Sequence, residues 1–476
     1  MEHSDGFVAQ ELDLMKGDSG NATAAGDESG SFMPYEAPWF ADARWGALLC
    51  AAYPVLILTP VFVAAFASPT SHRPLIAEMG VHCALVAFTM LALQFVIAAR
   101  LRWIEAPFGL DVVLRFHRAM AWVAMGLLCI HPLLLAAGES WGLLTRWRAH
   151  WPIWAGRSAL LLLFAHLAAA LLRRAIRLRY EAWRQLHTAV AFLLLGLAFV
   201  HSWALGHDLQ STGTRIFWTL LPLTACVAWL YGRLARPWLL RRSHYRVVSI
   251  RSEAPQVWTL TLDPSRNRPL QYAPGQFLFL RPQSSFVAAE EHPFSIASSP
   301  APGGRISLTI KQSGDFTSTM GRIKPEERVA VHGPFGRFSH VFYRDGGTLV
   351  FVAAGVGITP LMSMLRYMRD RGDARPVLLI YANRSVNDIV FRDELEQMES
   401  HGLPALKTIH ILSRPPDDWA GPSGRLDTAS LGSLCGGFSG KAFFICCPPR
   451  MACQLIRGLT NAGVCPERIH ADYFEF

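Results

Sequence analysis

The sequence predicts a multi-domain membrane protein, in which a bundle of six transmembrane α-helices is followed by an antiparallel β-barrel domain and a doubly wound α/β domain. Just over half of its 476 residues are hydrophobic (51%), which favours a membrane protein. The apolar residues concentrate between positions 46 and 236, and the second half shows strand and helix patterns typical of soluble domains. The predicted divisions are a polar tail (1–40), the bundle (41–238), the barrel (239–343) and the α/β domain (344–476).

Six stretches of the first half are apolar over a length that can cross a bilayer, which takes about 20 helical residues. They lie near residues 46–67, 78–99, 112–137, 154–172, 185–206 and 215–235. The first 40 residues are polar and acidic, and they lack the apolar core of a signal peptide. We therefore expect a disordered acidic tail before the first helix.

Arginines mark one side of the predicted membrane. They crowd the connection between the fourth and fifth stretches and the segment after the sixth: Arg173, Arg174, Arg177, Arg179, Arg184, Arg233, Arg236, Arg241 and Arg242. The alternate connections hold fewer: Arg73, Arg146, Arg148 and Arg215. Because cytoplasmic loops are enriched in Lys and Arg, we expect a multi-pass protein of the inner or plasma membrane with its N-terminus and soluble half in the cytoplasm. This topology accounts for the net charge of +9, so no nucleic-acid partner is expected.

The nine cysteines are scattered along the chain. They follow neither zinc-finger spacing nor the C-x4-C-x2-C run of a plant-type iron–sulfur cluster. Five of them fall in the half expected to be cytoplasmic, where structural disulfides are rare. The cysteines therefore predict no iron–sulfur cluster, and no structural disulfide in the soluble half.

Two apolar stretches each carry a pair of histidines fourteen residues apart, His117 with His131 and His187 with His201. Fourteen residues are close to four helical turns, so each pair shares one helix face at two levels roughly 21 Å apart. Imidazole is a common axial ligand of haem iron, and ionisable residues in a bilayer usually have a role. We predict that the four residues ligate two stacked haems, with His117 and His187 at the cytoplasmic level.

A single histidine in an apolar helix is more often a hydrogen-bonded interior residue than a ligand. His82 and His166 each stand alone in their own stretch, and we assign both to this class. Four histidines that repeat one spacing on two helices are much harder to explain in this way.

The soluble half changes its pattern near residue 344. Before this point, short alternating runs separated by Gly and Pro predict a small antiparallel barrel; they lie at 245–250, 257–262, 276–280, 306–310 and 328–332. Beyond it, apolar runs alternate with helical periods and predict a parallel, doubly wound sheet; they lie at 348–353, 377–381, 407–412 and 442–446.

Two short motifs of the barrel suit a flavin. The tetrapeptide His292, Pro293, Phe294 and Ser295 lies between two predicted strands and offers rings and a hydroxyl to an isoalloxazine. Residues 314–317 precede a short helix whose free N–H groups, with a hydroxyl, are able to bind pyrophosphate. Taken alone, the second motif is equally typical of an ordinary turn with an N-cap.

A third motif follows a strongly apolar strand and opens a helix. Gly355 and Gly357 let the backbone approach a phosphate at the positive end of that helix. The motif departs from the G-x-G-x-x-G fingerprint, because Pro360 stands at the third glycine position.

Together these residues resemble the NADPH oxidase and ferric reductase superfamily, over about residues 45–476. The resemblance implies a ferric-reductase-like membrane domain with two b-type haems on the four histidines, joined to a ferredoxin-reductase-like FAD and NAD(P) module. It implies FAD contacts for the motif 292–295, with Ser295 facing the flavin N5. It also places two glycine motifs beside the FAD diphosphate and the nicotinamide entrance, carried here by Gly314, Thr317, Gly333 and Gly336.

The resemblance further implies a nucleotide site. Its pyrophosphate turn corresponds to Gly355, Gly357, Thr359 and Pro360, its ribose side to Arg384 and Arg414, its nicotinamide side to Cys446, and its flavin-shielding aromatic to Phe474 or Phe476, of which we favour Phe476. The two arginines are able to pair with a 2′-phosphate, so NADPH is the favoured donor. The family has glycine after its cysteine where this chain has Cys447, so backbone approach is expected to differ there.

The expected function is that of a transmembrane flavocytochrome b oxidoreductase, with Ser295, Cys446 and Phe476 beside the reacting atoms. Electrons are expected to pass from cytoplasmic NAD(P)H through FAD and two haems to a small-molecule acceptor beyond the bilayer, either dioxygen, giving superoxide, or a ferric chelate. Two alternatives stay open. One is a membrane electron-transfer subunit that serves a separate protein; the other is a haem-binding anchor or sensor without turnover, which only Cys447 suggests.

Overall fold

The structure is a computed structural model that describes residues 38, 41–67, 73–145, 150–173, 175–176, 180–206, 209, 211–236, 238, 244–265, 269–283, 290–300, 303–343 and 347–472. It forms two compact units, which divide between residues 238 and 239. Several predicted features lie outside the described residues: Phe474, Phe476, the acidic tail apart from residue 38, and Arg146, Arg148, Arg174, Arg177, Arg179, Arg241 and Arg242.

The first unit confirms the predicted helical bundle. Among its described residues, six helices are long and apolar enough to cross a membrane: α1 Ala43–Ala67, α2 Leu75–Ala98, α3 Leu110–Gly138, α4 Trp151–Leu172, α5 Tyr180–Leu205 and α6 Thr212–Leu230. A helix satisfies its backbone hydrogen bonds internally, which is what hydrocarbon surroundings demand of such apolar sequences.

Helix α2 is the most buried of the six, and it packs on α1, α3 and α6. Small residues bring α2 and α3 together, since a Cβ on Gly138 would lie only 2.7 Å from the backbone nitrogen of Ala77. Helix α4 packs mainly on α5. Along their described lengths α3 and α5 hardly touch, so a cleft separates the two helices that carry the paired histidines.

The second unit begins with the predicted antiparallel barrel. Its strands are β1 His244–Ala254, β2 Val257–Pro264, β3 Phe277–Pro282, β4 His292–Ser295, β5 Ile306–Lys311 and β6 Arg328–Phe335. They run in the order β4-β3-β6-β1-β2-β5, and a bridge between Ile296 and Leu308 joins the two edges. The sequence analysis placed residues 292–295 between strands, and this was wrong, because they pair with β3 as edge strand β4.

The α/β domain is the doubly wound fold that the sequence predicts. Its parallel strands, in the order β11-β10-β7-β8-β9, are β7 Leu349–Ala354, β8 Pro376–Asn383, β9 Ala405–Leu412, β10 Ala442–Cys446 and β11 Ile469–Asp472. Helices cover both faces: α7 Ile358–Asp370, α8 Arg392–His401, α9 Thr428–Cys435 and α10 Pro449–Asn461. Strand β11 was not predicted. Parallel strands end at one edge, and that edge carries the predicted nucleotide residues.

Candidate functional site

The four predicted haem ligands form two facing pairs across the cleft between α3 and α5. The ring centres of His117 and His187 lie 6.3 Å apart, and those of His131 and His201 also lie 6.3 Å apart. Two imidazoles that bind one metal ion at about 2.0–2.1 Å place their ring centres roughly 6 Å apart. Each pair therefore leaves room for one metal ion between its rings.

The donor set fits haem iron better than a metal site made of protein ligands alone. Among the described residues, no group of three or more His, Cys, Asp or Glu side chains could hold a metal ion. Two imidazoles on opposite sides of an iron leave four positions to be filled, and a porphyrin supplies four nitrogen atoms.

Backbone carbonyls orient the rings of the predicted outer pair. The carbonyl oxygen of Gly80 lies 2.9 Å from Nδ1 of His131, and that of Pro152 lies 2.8 Å from Nδ1 of His201. A ring that donates Nδ1–H to a carbonyl presents the lone pair of Nε2 to a metal, as metal-bound histidines usually do. Gly156 makes room for one ring, since a Cβ there would lie 2.6 Å from Nδ1 of His201.

The predicted inner pair is surrounded differently. Nδ1 of His187 lies 2.7 Å from Nε2 of His166, and the two rings stack with their centres 4.6 Å apart. Nδ1 of His117 is buried and has no hydrogen-bond partner among the described residues. The sequence analysis treated His166 as an ordinary interior histidine, and nothing in its spacing indicates this contact.

The structure brings the two flavin motifs together. The ring of His292 stacks on Phe316, with the centres 3.9 Å apart, and its Nε2 lies 3.2 Å from Oε2 of Glu290. Pro293 is tolerated because β4 is an edge strand, where a missing N–H breaks no ladder bond. Ser295 is buried at the end of this strand.

The second flavin motif forms its own turn. Gly314 precedes the single-turn helix Asp315–Ser318, and the hydroxyl oxygen of Thr317 accepts the N–H of Ser313 at 2.8 Å. The turn that was the alternative prediction for residues 314–317 is therefore present. It lies beside the first flavin motif, because its Phe316 stacks on His292.

Gly333 lies in β6 and Gly336 directly follows it, where β6 pairs with β3. A Cβ on Gly333 would lie 3.0 Å from Cβ of Leu278. Gly336 has φ +89°, and its carbonyl accepts a hydrogen bond of 2.8 Å from the amide of Gln276. The close approach of Leu278 at Gly333 and the positive φ of Gly336 thus favour glycine at both positions, whether or not a cofactor lies nearby.

The predicted nucleotide turn packs against the backbone of Cys446. Gly355 has φ +54° and accepts a hydrogen bond from the Tyr381 hydroxyl at its carbonyl, 3.0 Å away. A Cβ on Gly357 would lie 2.1 Å from the carbonyl oxygen of Cys446, so glycine is required there. The hydroxyl of Thr359 donates to the carbonyl of Val356.

Cys446 and Cys447 face opposite sides of the sheet. Cys446 belongs to the core beneath α7, and burial raises the pKa of its thiol well above the usual value. Cys447 packs into the core on the other face, where burial raises the pKa of its thiol to about 12. Cys447, which replaces the family's glycine, therefore packs its side chain into the hydrophobic core.

Arg384 and Arg414 lie together where β8 and β9 end. The N–H of Arg414 donates to the carbonyl of Arg384 at 2.8 Å, and both side chains are exposed. Neither guanidinium forms an ion pair within the described part of the chain. Pro360 lies in the first turn of α7, where the absence of an N–H costs no helical hydrogen bond.

A polar network that the sequence analysis missed joins the barrel to α7. The guanidinium of Arg366 donates to the carbonyl of Ala297 at 2.9 Å and also holds the carboxylate of Glu394. The hydroxyl of Ser363 donates to the carbonyl of Ser298 at 2.6 Å. Burial alone would raise the pKa of Glu394, but its hydrogen bonds to Arg366 lower the pKa below the usual value.

Three family profiles match successive parts of the chain. The profile described as "Ferric reductase like transmembrane component" matches residues 83–198, "FAD-binding domain" matches 246–339, and "Oxidoreductase NAD-binding domain" matches 351–455. This order is the architecture of NADPH oxidases and ferric reductases.

Known proteins resemble parts of the chain. Sulfhydrogenase 1 subunit gamma of Pyrococcus furiosus is 33% identical over 209 residues, which are 44% of this chain and 70% of that protein. Ferredoxin–NADP reductase B of Sorangium cellulosum is 29% identical over 48% of this chain and 96% of its own length. Among solved structures, the Amycolatopsis cytochrome P450 reductase GcoB superposes with a TM-score of 0.44 at 23% identity, over 49% of this chain and 69% of that one. From the three profiles and their order, the chain belongs to the NADPH oxidase and ferric reductase superfamily and is a membrane-spanning, NAD(P)H-dependent oxidoreductase with FAD- and NAD-binding domains.

Proposed function

We propose that this protein is a transmembrane flavocytochrome b, which carries electrons from cytoplasmic NAD(P)H through FAD and two b-type haems to an acceptor on the far side of the membrane. One observation carries the proposal. Two histidine pairs, each with ring centres 6.3 Å apart, face each other at two levels of one helix cleft. The same chain contains the domains that bind FAD and NAD.

The bound cofactors supply the redox chemistry, because a flavin takes two electrons as hydride and releases them singly, and haem iron takes them singly. The protein's part is to hold and orient these groups. Its helices offer imidazole nitrogens at two depths, and hydrogen bonds to Nδ1 of His131, His187 and His201 leave Nε2 of each ring available.

The residues of the nucleotide edge suit binding and alignment of NADPH. Gly357 and the carbonyl of Cys446 pack so closely that no side chain fits between them, which holds the glycine turn against the end of β10. The raised thiol pKa keeps Cys446 neutral, so it acts by contact and not as a thiolate. Arg384 and Arg414 offer two unpaired positive charges to a 2′-phosphate.

Buried Ser295 fits the hydroxyl expected beside the flavin N5, where an O–H group is able to donate to the ring nitrogen. The neighbouring stack of His292 on Phe316 would form one wall of that site. We retain Phe476 as the aromatic residue that shields the flavin, although it lies outside the described residues.

Charge supports the proposed orientation. Arg173 directly follows α4, Arg184 lies in the second turn of α5, and Arg233 and Arg236 follow α6, so these arginines flank the same ends of the spanning helices. Since Lys and Arg mark cytoplasmic loops, this side and both termini are assigned to the cytoplasm. His117 and His187 then form the inner pair.

The proposed acceptor is dioxygen or a ferric chelate. If His131 and His201 both ligate the iron of the outer haem, as proposed, they would leave no position on that iron for the acceptor, which would take electrons without binding it. The test is to reduce the purified protein with NADPH in the absence of oxygen, and then to add dioxygen or ferric citrate while following the haem absorbance.

We expect rapid reoxidation by at least one of these acceptors. Reduced haem that persists with both would contradict a small-molecule acceptor, and it would favour an electron-transfer subunit that serves another protein. Absence of haem reduction by NADPH would contradict the proposed route itself.

A further inference from the structure

The two pairs of predicted ligands differ in what holds them. At the outer level, Nδ1 of each ring meets a backbone carbonyl, from Gly80 or Pro152. At the inner level, the partner of His187 is the side chain of His166. Any residue at position 80 or 152 would supply a backbone carbonyl. The partner of His187, in contrast, exists only because residue 166 has a histidine side chain.

His166 makes two kinds of contact with His187. Its Nε2 lies 2.7 Å from Nδ1 of His187, and the two ring planes are inclined by 27° with their centres 4.6 Å apart. The ring of Trp183 contacts both histidines: its centre lies 5.4 Å from that of His166, with the planes 19° apart, and 5.3 Å from that of His187. The indole therefore packs against both rings and helps to hold His166 beside the predicted ligand.

We propose that His166 is a positioning residue that sets the reduction potential of the inner haem through His187. This inference rests on the proposed function. A ring that gives the Nε2 lone pair to iron carries its proton on Nδ1, so His187 donates and Nε2 of His166 accepts. Such an acceptor raises the basicity of the ligand. A more basic ligand stabilises ferric over ferrous iron and so lowers the reduction potential.

Two substitutions separate the hydrogen bond from the stack. His166→Phe keeps an aromatic ring packed against Trp183 and His187 but removes the acceptor. His166→Gln removes the ring and keeps an acceptor oxygen within reach of the place of Nε2. His82→Gln is the matched control, because His82 lies in α2 and makes no hydrogen bond within the described part of the chain.

The measurement is a redox titration of both haems in the full-length protein, together with the electron paramagnetic resonance of the ferric state. We expect His166→Phe to raise the potential of one haem, by on the order of tenfold in the ferrous/ferric ratio, or about 59 mV for one electron. The other haem stays unchanged. His166→Gln and His82→Gln stay near the wild type. Repeating the titration in the His131→Ala background assigns the shifted step to the inner haem.

Loss of one haem in His166→Phe, with recovery in His166→Gln, also supports the inference. Unchanged potentials and spectra in His166→Phe overturn it, as does equal loss of haem in both His166 variants or in the control. Failure of the proposed function looks different, because the wild-type protein itself would then bind fewer than two haems.

A second residue follows from the register of α2 against α3. Gly80 contacts His131, and Ala87, seven residues after Gly80, belongs to the same buried cluster as Ala124, seven residues before His131. This register is antiparallel, and one more step of seven in the same register leads to Gln94 and His117. Gln94 is 8% exposed, and neither its amide nitrogen nor its amide oxygen has a hydrogen-bond partner within the part of the chain that the structure describes.

We infer that the amide oxygen of Gln94 accepts the Nδ1–H of His117 when this histidine binds iron. Neither the Gln94 amide nor Nδ1 of His117 has a partner among the residues described, and buried polar groups are almost always paired. A turn of the Gln94 side chain satisfies both at once. Each ligand of the inner haem would then have a side-chain hydrogen-bond acceptor, His166 for His187 and Gln94 for His117.

The test is Gln94→Leu, with Thr89→Val as the control because Thr89 is a buried polar residue of the same helix. Gln94→Leu should raise the inner potential in the same direction as His166→Phe, whereas Gln94→Glu, which keeps an acceptor, should not. An unchanged inner potential in Gln94→Leu overturns the inference, and so does an equal shift in Thr89→Val. A wild-type protein without two haems would instead contradict the proposed function.

Discussion

At the scale of the residue, the histidines combine a simple pattern with contacts that the pattern does not contain. The spacing of fourteen predicts which rings share a level. It does not predict that two glycines on other helices, Gly80 and Gly156, provide a carbonyl and a space for the outer rings. Such contacts depend on helix packing, which leaves no periodic signal in one sequence.

Gly156 offers a direct test of the outer site. Gly156→Ala should remove about half of the b-type absorbance, because a Cβ there would lie 2.6 Å from the ring of His201. Gly196→Ala is the matched control, since a Cβ at Gly196 would meet nothing within 4 Å. The measurement is the haem-to-protein ratio, and equal retention of haem in the two variants would refute the expected role of Gly156.

Arg384 tests the choice of nucleotide. Arg384→Ala should raise the KM for NADPH about tenfold, through loss of a charge-assisted hydrogen bond, and leave the KM for NADH almost unchanged. Steady-state oxidation of the two nucleotides measures this preference. Arg457→Ala, at an exposed site on α10, is the control. A preference that stays the same in Arg384→Ala would eliminate this arginine as the determinant.

At the scale of the element, alternation and apolar runs predict most strands, and they fail where pairing comes from a neighbour. Strand β4 contains Pro293 and only four residues, so nothing but its ladder with β3 makes it a strand. Strand β11 is equally short, and among the described strands its partner is β10. The turns at Gly314 and Gly355 were predicted because strand and helix patterns bracket them.

The ion pair of Arg366 with Glu394 should make the stability of the soluble domains depend on pH. Its hydrogen bonds lower the pKa of Glu394 in the folded protein, so the stabilisation is present above the unfolded value and is lost as the pH falls through the folded value. Glu394→Gln should therefore lower the thermal midpoint at pH 7 and have less effect near pH 4. Thermal unfolding followed by flavin fluorescence at both pH values measures this, and an equal change at the two would contradict it.

At the scale of the whole molecule, the order of domains follows from the sequence, because the change from apolar to alternating patterns is large. Three family profiles match the chain in the same order and support this order of domains. The nature of the acceptor has no comparable signal, since an electron that leaves a haem with both axial positions filled requires no binding residue. The contact of His166 with His187 likewise depends on how the helices pack, which the sequence alone does not contain.

The central claim is that two haems lie on one electron path through the membrane. It is tested most directly by purifying His131→Ala, measuring its b-type absorbance and then adding NADPH without oxygen. The account predicts about half of the wild-type absorbance, and reduction of the remaining haem by NADPH, since His117 and His187 are intact. Full retention of the absorbance, or a remaining haem that dithionite reduces and NADPH does not, would contradict it.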